Sequence, residues 1–281
     1  MITKQKFGGN WTIEKLEILS SYFDYYLTAL KNQPFKRIYI DAFAGTGTIK
    51  VESDEEAIEG SAKLALLAEA KFDKYIFIEQ NRKFVLVLKE MIANQFSELS
   101  DRIEIYNEDC NLKLQELCKY IDWSKNRAVL FLDPYATEVK WETLEIIAAT
   151  KAIDVWYLFP MSAATRLLKR DGAIDPSWRA KLDMIFGDCG WYDDFYKKDP
   201  QMNFFGDDDR YYKDVNTQML RKYICNRLST IFADVAPNPR ILYNRKNSPL
   251  FLFCFAIAND SPKAIGLALK GANYILEYRN K

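Results

Sequence analysis

The stretch Arg37–Ile49, R-I-Y-I-D-A-F-A-G-T-G-T-I, constrains this chain more than any other. An apolar run, Ile38 to Ile40, ends in Asp41, and a small-residue turn follows with Gly45 and Gly47. That order predicts a buried strand entering a tight turn ahead of a helix. Glycine lets the backbone bend sharply and lets a ligand come close. The rhythm repeats downstream. Apolar runs at Tyr75–Ile78, Ile103–Tyr106, Ala128–Leu132 and Val155–Phe159 alternate with helical patterns over Gly60–Lys71, Arg82–Phe96, Leu112–Tyr120 and Glu142–Thr150. Such alternation predicts an α/β fold, a mostly parallel sheet with helices on both faces.

The flanks complete this plan. Leu16, Leu19, Phe23, Tyr26, Leu27 and Leu30 keep a helical period over residues 12 to 31, with Thr12 as the expected cap and Pro34 as the stop. Val51–Glu59 reads as an acidic loop. After Pro160 the rhythm breaks: Ser162–Lys169 reads as a short basic helix, and Gly187–Asp209 mixes aspartates with aromatic residues. Such aromatic content argues against disorder, so residues 162–214 are expected to form an inserted helical and loop lobe between strands 5 and 6. Val215–Ala233 reads as a long helix, and Ile241–Tyr243 with Leu250–Ile257 as a closing strand pair, one of them antiparallel. Pro262 opens a last helix to about Lys270, with Tyr274–Tyr278 a final short element. No repeat or linker divides the chain, so residues 1–281 are read as one domain.

Composition excludes several chemistries. There is no histidine, which removes Ser-His-Asp and Cys-His catalysis and imidazole-based zinc sites. Lysine plus arginine and aspartate plus glutamate both number 39, so any nucleic-acid surface is local rather than global. The five cysteines form no C-x-x-C pair, and an odd count is expected of reduced thiols in a cytoplasmic protein. No apolar run reaches membrane-spanning length, and the polar start is not read as a signal peptide. The aspartates of Gly187–Asp209 lack the spacing of a calcium loop, so no metal site is expected.

The strand ends carry the candidate site, because open α/β sheets bind ligands beyond the carboxyl ends of their strands. Asp41, Phe43, Gly45 and Gly47 shape the first turn. No G-K-[ST] or G-x-G-x-x-G is present, and Asp41 repels a phosphate, which favours a cationic ligand such as a sulfonium. Glu79, after the second strand, suits the two hydroxyls of a ribose; Asp109, after the third, suits an adenine amino group. Alone, each reads more readily as an ordinary solvated strand end; together with the glycine turn they describe a nucleoside site. Asp133-Pro134-Tyr135 ends the fourth strand. There a carboxylate and a proline carbonyl accept N–H bonds from a planar amine, and an aromatic ring stacks on it. The bland alternative is that Asp133 only binds cofactor and Tyr135 only packs. Arg166, Lys169 and Arg170 suit phosphates or form a solvated face.

These pieces resemble the three-Cys-motif partner protein family, within the class I S-adenosylmethionine-dependent methyltransferases. The resemblance rests on G-G-N-W-T-I-E-K, Y-I-D-A-F-A-G-T-G, F-I-E-Q, L-F-L-D-P-Y and F-L-F-C-F-A-I-A-N-D-S-P-K-A. It implies a Rossmann-like seven-stranded sheet of order 3-2-1-4-5-7-6. It implies S-adenosyl-L-methionine as cofactor, with Asp41, Phe43, Gly45 and Gly47 at its methionine part, Glu79 at the ribose, Asp109 at the adenine, Asp133 beside the methyl, and Lys15 covering the pocket. It also implies a cysteine-motif protein partner in a mobile or defence-type system. The amine-methylating signature of this class is usually [DNS]-P-P-[YFW]; this chain has a single proline there. Three functions follow: methylation of a nucleic acid base such as adenine N6, with Asp133, Pro134 and Tyr135 catalytic; a cofactor-binding partner protein without turnover; or methylation of a protein or small molecule.

Overall fold

The computed structural model of the protein describes residues 5–6, 10–50, 57–198 and 210–278. Five parallel strands form the centre of the sheet: β1 (Lys36–Asp41), β2 (Lys74–Ile78), β3 (Ile103–Tyr106), β4 (Asn126–Leu132) and β5 (Ile153–Phe159). The edge strand β6 comes in two pieces, Asp234–Val235 and Arg240–Tyr243, both antiparallel to β7 (Pro249–Ile257). β7 in turn runs antiparallel to β5. The spatial order is therefore β3-β2-β1-β4-β5-β7-β6, the Rossmann-like order expected above. Pro237 and Pro239 lie in the break of β6. Proline has no N–H to give a ladder, which confines it to edges and interruptions of this kind.

Ten α-helices, among the described residues, connect and cover the strands: α1 (Asn10–Ala29), α2 (Ser61–Leu67), α3 (Arg82–Gln95), α4 (Cys110–Tyr120), α5 (Trp141–Ala149), α6 (Met161–Leu167), α7 (Pro176–Phe186), α8 (Trp191–Phe195), α9 (Thr217–Ser229) and α10 (Pro262–Tyr278). Strand residues alternate faces, and here the alternation separates two kinds of core. Ile38, Ile40, Ile76, Ile78, Leu130, Val155 and Leu252 point to an aliphatic layer under α4, α5, α7 and α9. Tyr39, Tyr75, Phe77, Phe131, Trp156, Phe253 and Phe255 point to an aromatic layer under α1, α2, α3 and α10. Most of these rings are fully buried. Edge-to-face pairs such as Phe23–Tyr39 at 4.9 Å and Tyr22–Trp156 at 5.2 Å hold them in the favoured geometry for aromatic quadrupoles.

Several boundaries differ from the sequence expectations, each for a physical reason. α1 starts at Asn10, which places Thr12 inside the helix and fully buried instead of capping it. Ala57–Glu59, expected as loop, pairs antiparallel with Thr48–Lys50 in a small sheet that also takes Gln5–Lys6; residues 51–56 lie outside the described residues. α2 stops at Leu67, where Lys71 Nζ donates to the carbonyls of Leu66 and Ala68 at 2.7 Å each. α4 starts two residues early because Asp109 caps it. α9 is shorter than Val215–Ala233. α10 runs on to Tyr278 in one piece, so neither the Lys270 stop nor a separate Tyr274–Tyr278 element exists. Gly271 marks no end: a Cβ there would strike the Tyr25 ring, so the glycine lets α10 cross α1 closely.

Between β5 and β6 the chain forms α6, α7 and α8 and a short hairpin of Tyr196–Lys198 with Tyr211–Lys213. Residues 199–209, the last part of the acidic and aromatic stretch Gly187–Asp209, lie outside the described residues. The rest is anchored by rings. Phe186, Trp191 and Phe195 are buried and continue the aliphatic core outward, and Phe195 meets Tyr223 of α9 at 4.8 Å.

Candidate functional site

A cleft of about 240 Å³ opens at the carboxyl ends of β1 to β4. The chain leads outward from β1 to β2 on one side and from β4 to β5 on the other, and such a switch point is where doubly wound sheets bind ligands. Phe43, Gly45, Gly47, Glu79, Asp109, Asp133, Pro134, Tyr135 and Lys15 all line it.

The first turn is built by its glycines. Gly45 and Gly47 have φ of 59° and 76°, a left-handed conformation that costs other residues energy. A Cβ at Gly47 would also stand 2.5 Å from Met91 Cε of α3. Glu79 pins the turn, since Gly45 N–H donates to its Oε2 at 2.9 Å and Asn81 N–H donates to its Oε1 at 2.7 Å. Each carboxylate oxygen has a second lone pair, so Glu79 retains capacity toward the cleft. Asp109 also serves the fold. Its Oδ1 accepts from Asn111 N–H at 2.9 Å and Leu112 N–H at 3.2 Å and caps α4. Its Oδ2 makes no such bond among the described residues.

Asp41 departs from the expected arrangement. It is fully buried and does not line the cleft. Alternation explains this: Asp41 shares a strand face with Tyr39, which is turned toward α1 and α2. Its Oδ2 accepts from the Tyr39 hydroxyl at 3.1 Å and its Oδ1 from Phe43 N–H at 3.2 Å. Burial pushes its carboxyl up to about 6, with Ser61, Phe43 and Tyr39 hydrogen bonds opposing the rise and the Asp133 charge adding to it. Asp41 therefore sits behind the wall of the cleft.

The same alternation turns Asp133 toward α1, where Lys15 Nζ donates to its Oδ2. Lys15 is buried, 4% exposed, and its ammonium lies 5.0 Å from the Trp11 ring centroid. Removing Asp133 would strand the buried Lys15 ammonium away from water, the costly case, whereas Asp133 itself is partly exposed at the cleft. Pro134 is buried, whereas Tyr135 is 75% exposed and stands at the mouth of the cleft.

The structure adds residues that the sequence reading missed. Trp11, Phe84 and Phe251 give the cleft aromatic walls, with Trp11 and Phe251 rings 5.1 Å apart; Ser61, Glu108 and Glu138 add polar ones. The G-G-N-W segment and the start of the late F-L-F-C-F run were the available signals. Arg166, Lys169 and Arg170 are exposed and do not line the cleft. Lys169 lies 5.5 Å from the Trp178 ring, and Arg166 Nε donates to the Ser162 carbonyl at 3.3 Å. Among the cysteines, Cys110, Cys118 and Cys254 are buried; burial pushes the Cys110 and Cys118 thiols up to about 12, away from the nucleophilic thiolate. No helix among the described residues is long and apolar enough to cross a membrane.

No protein-family model matches the sequence, and no curated protein matches it. Among solved structures, the chain is similar to protein LPL1258 from Legionella pneumophila, with 12% identity, a TM-score of 0.48, and coverage of 93% of this chain and 92% of that one. It is also similar to a spermidine synthase in complex with the transition-state analogue AdoDATO, at 12% identity and a TM-score of 0.41, covering 88% of this chain and 61% of that one. The candidate methyltransferase yhhF from Escherichia coli matches at 12% identity and a TM-score of 0.34 over 58% of this chain and 74% of that one. These likenesses are distant, and the Rossmann-like assignment stands on the strand order itself.

Proposed function

We propose that the cleft binds S-adenosylmethionine and transfers its methyl group to an acceptor held at Asp133, Pro134 and Tyr135. The observation that carries this reading is the convergence of three strand-end acids, Glu79, Asp109 and Asp133, on one cleft beside the glycine turn. In order along the sheet edge, Asp109 takes the adenine amino group through Oδ2, Glu79 the ribose hydroxyls, and the Gly45–Gly47 turn the methionine part. Asp41 acts from behind the wall as buried negative charge that favours a sulfonium.

The acceptor is proposed to be a nucleic acid base, with adenine N6 as the test case. Its nitrogen lone pair is delocalised into the ring and is a poor nucleophile. Asp133 Oδ1 and the Pro134 carbonyl accept its two N–H bonds, which favours positive charge growing on nitrogen in the transition state. Lys15 holds Oδ2 and so fixes the carboxylate while leaving Oδ1 for the acceptor. The exposed Tyr135 ring offers a stacking face for a base drawn out of its helix or already single-stranded. Methyl transfer is then direct displacement: the N–C bond forms as the S–C bond breaks, and the thioether leaves with the electron pair. The protein supplies orientation and exclusion of water.

One observation favours a second reading, a cofactor-binding partner protein without turnover. Lys15 places an ammonium on the carboxylate that an acceptor amine needs. Incubating the protein with methyl-labelled S-adenosylmethionine and separate RNA, DNA and protein fractions tests the two. Label in RNA or DNA supports the proposal. Label in protein alone moves the acceptor class. Binding of cofactor with no label transferred to any fraction selects the second reading.

A further inference from the structure

The opposite end of the sheet carries a second cavity, of about 280 Å³, between the carboxyl half of α1 and the start of α10. Its lining includes Arg127, Ala152 and Asp154 from the starts of β4 and β5 and Ile257 from the end of β7. It therefore shares no wall with the cleft, although α1 contributes to both. The cavity is not a simple apolar void. Tyr22, Tyr25, Tyr26 and Phe35 line it, together with Leu30, Ala264 and Leu267.

Two polar groups at its floor point to a ligand. Tyr26 is 5% exposed, and its hydroxyl is buried with no hydrogen-bond partner among the described residues. Buried polar groups are nearly always satisfied, so such an orphan needs an explanation. Asp154 is the second group. Its Oδ2 accepts from the Tyr22 hydroxyl at 2.7 Å, and Oδ1 makes no comparable bond among the described residues. Asp154 shares the aromatic face of β5 with Trp156, whereas a buried carboxylate normally has a cation on it.

Of the nearby cations, Arg127 lines the cavity and its charge acts on Asp154, but no hydrogen bond joins the two among the described residues. Arg127 Nη1 donates to the carbonyls of Trp123 and Asn126 at 2.6 and 2.7 Å, and its guanidinium lies 3.8 Å from the Phe35 ring centroid. Lys263 is exposed at the rim. The floor thus presents a carboxylate and the negative faces of aromatic rings, with the unsatisfied Tyr26 hydroxyl buried among them. Asp154 and the ring faces favour an organic cation, with the Arg127 guanidinium in the same wall opposing them. We propose that this cavity binds a small organic cation that carries an aromatic ring, its nitrogen on Asp154 and its ring against the tyrosine walls. The proposal stands apart from the methyl-transfer reading and uses none of its residues.

Benzamidine is a suitable probe, because its planar amidinium pairs with a carboxylate in a forked geometry. Benzoate and benzyl alcohol match its ring with negative and zero charge. Titration followed by protein-observed NMR should show saturable benzamidine binding, with shifts confined to the carboxyl half of α1 and the start of α10. Benzoate and benzyl alcohol should bind at least tenfold more weakly. Asp154→Asn should weaken benzamidine at least tenfold, and Ala264→Trp, which fills the cavity from its rim, should abolish binding. If Asp154→Asn does not fold, Ala264→Trp decides. Absence of saturable binding at millimolar benzamidine, equal binding of benzoate, or unchanged affinity in Ala264→Trp overturns the proposal. S-adenosylmethionine titrated into the same variants reads the cleft separately.

Discussion

Asp41→Asn separates the two costs that this buried acid imposes. Its carboxyl is raised from 3.8 to about 6 and is fully buried. A folded-state value above the unfolded one means the fold prefers the protonated form. That preference stabilises the protein fully below the unfolded value and is lost as pH rises through the folded value. A rise of roughly two pKa units corresponds to about 3 kcal/mol of stability lost between about pH 4 and pH 7. Asparagine stays neutral throughout. It keeps an oxygen for Phe43 N–H, and the Tyr39 hydroxyl can turn to accept from the amide. Urea unfolding of both proteins at pH 4.5 and pH 8 measures the effect. Asp154, pushed up to about 7 by burial, titrates in both proteins and cancels in the difference. The variant should gain about 1–3 kcal/mol on wild type between the two pH values, yet bind S-adenosylmethionine more weakly for lack of the negative charge. A difference that does not change with pH would refute the burial argument, and an unchanged affinity would refute the electrostatic one.

Other outcomes follow from the same geometry. Gly47→Ala combines a left-handed φ with a collision at Met91, so it should destabilise the fold by about 2 kcal/mol or more in denaturant unfolding. Asp133→Ala should abolish methyl transfer while circular dichroism shows the fold retained; full activity would remove Asp133 from the catalytic role. Lys15→Met should cost more stability than Lys15→Met and Asp133→Leu together, since the single change leaves the partly buried Asp133 carboxylate unpaired while the double change leaves no charge. Phe131→Ala opens the centre of the aromatic layer and should cost about 3–5 kcal/mol, read from the same unfolding curves.

The parts of this molecule that were legible in the sequence were local ones. The apolar runs, the glycine turn and the acids after β1 to β4 are contiguous signals, and they located the sheet and the cleft edge. Side-chain direction was legible too but needed the period of two. Asp41 follows Ile40, so it had to share the face of Tyr39 and miss the cleft that Glu79 and Asp109 reach from loops. The ion pair between Lys15 and Asp133 joins residues 118 apart in the chain, and nothing local announces it. Trp11 and Phe251 meet across an even longer interval for the same reason. The continuation of α10 past Gly271 was hidden because a glycine that permits a close helix crossing looks, in sequence, like one that ends a helix. The break in β6 was signalled by Pro237 and Pro239, whose effect depends on their lying at a sheet edge.

The proposed methyl transfer depends on one ligand occupying the cleft through Glu79 and Asp109. Calorimetric titration of S-adenosylmethionine into the wild-type protein, Glu79→Gln and Asp109→Asn tests this most directly. Saturable one-to-one binding to wild type, weakened about tenfold or more in each variant as charge-assisted hydrogen bonds are lost, is the predicted result. Wild-type protein that takes up no S-adenosylmethionine at millimolar concentration, or folded variants that bind it as tightly as wild type, would contradict it.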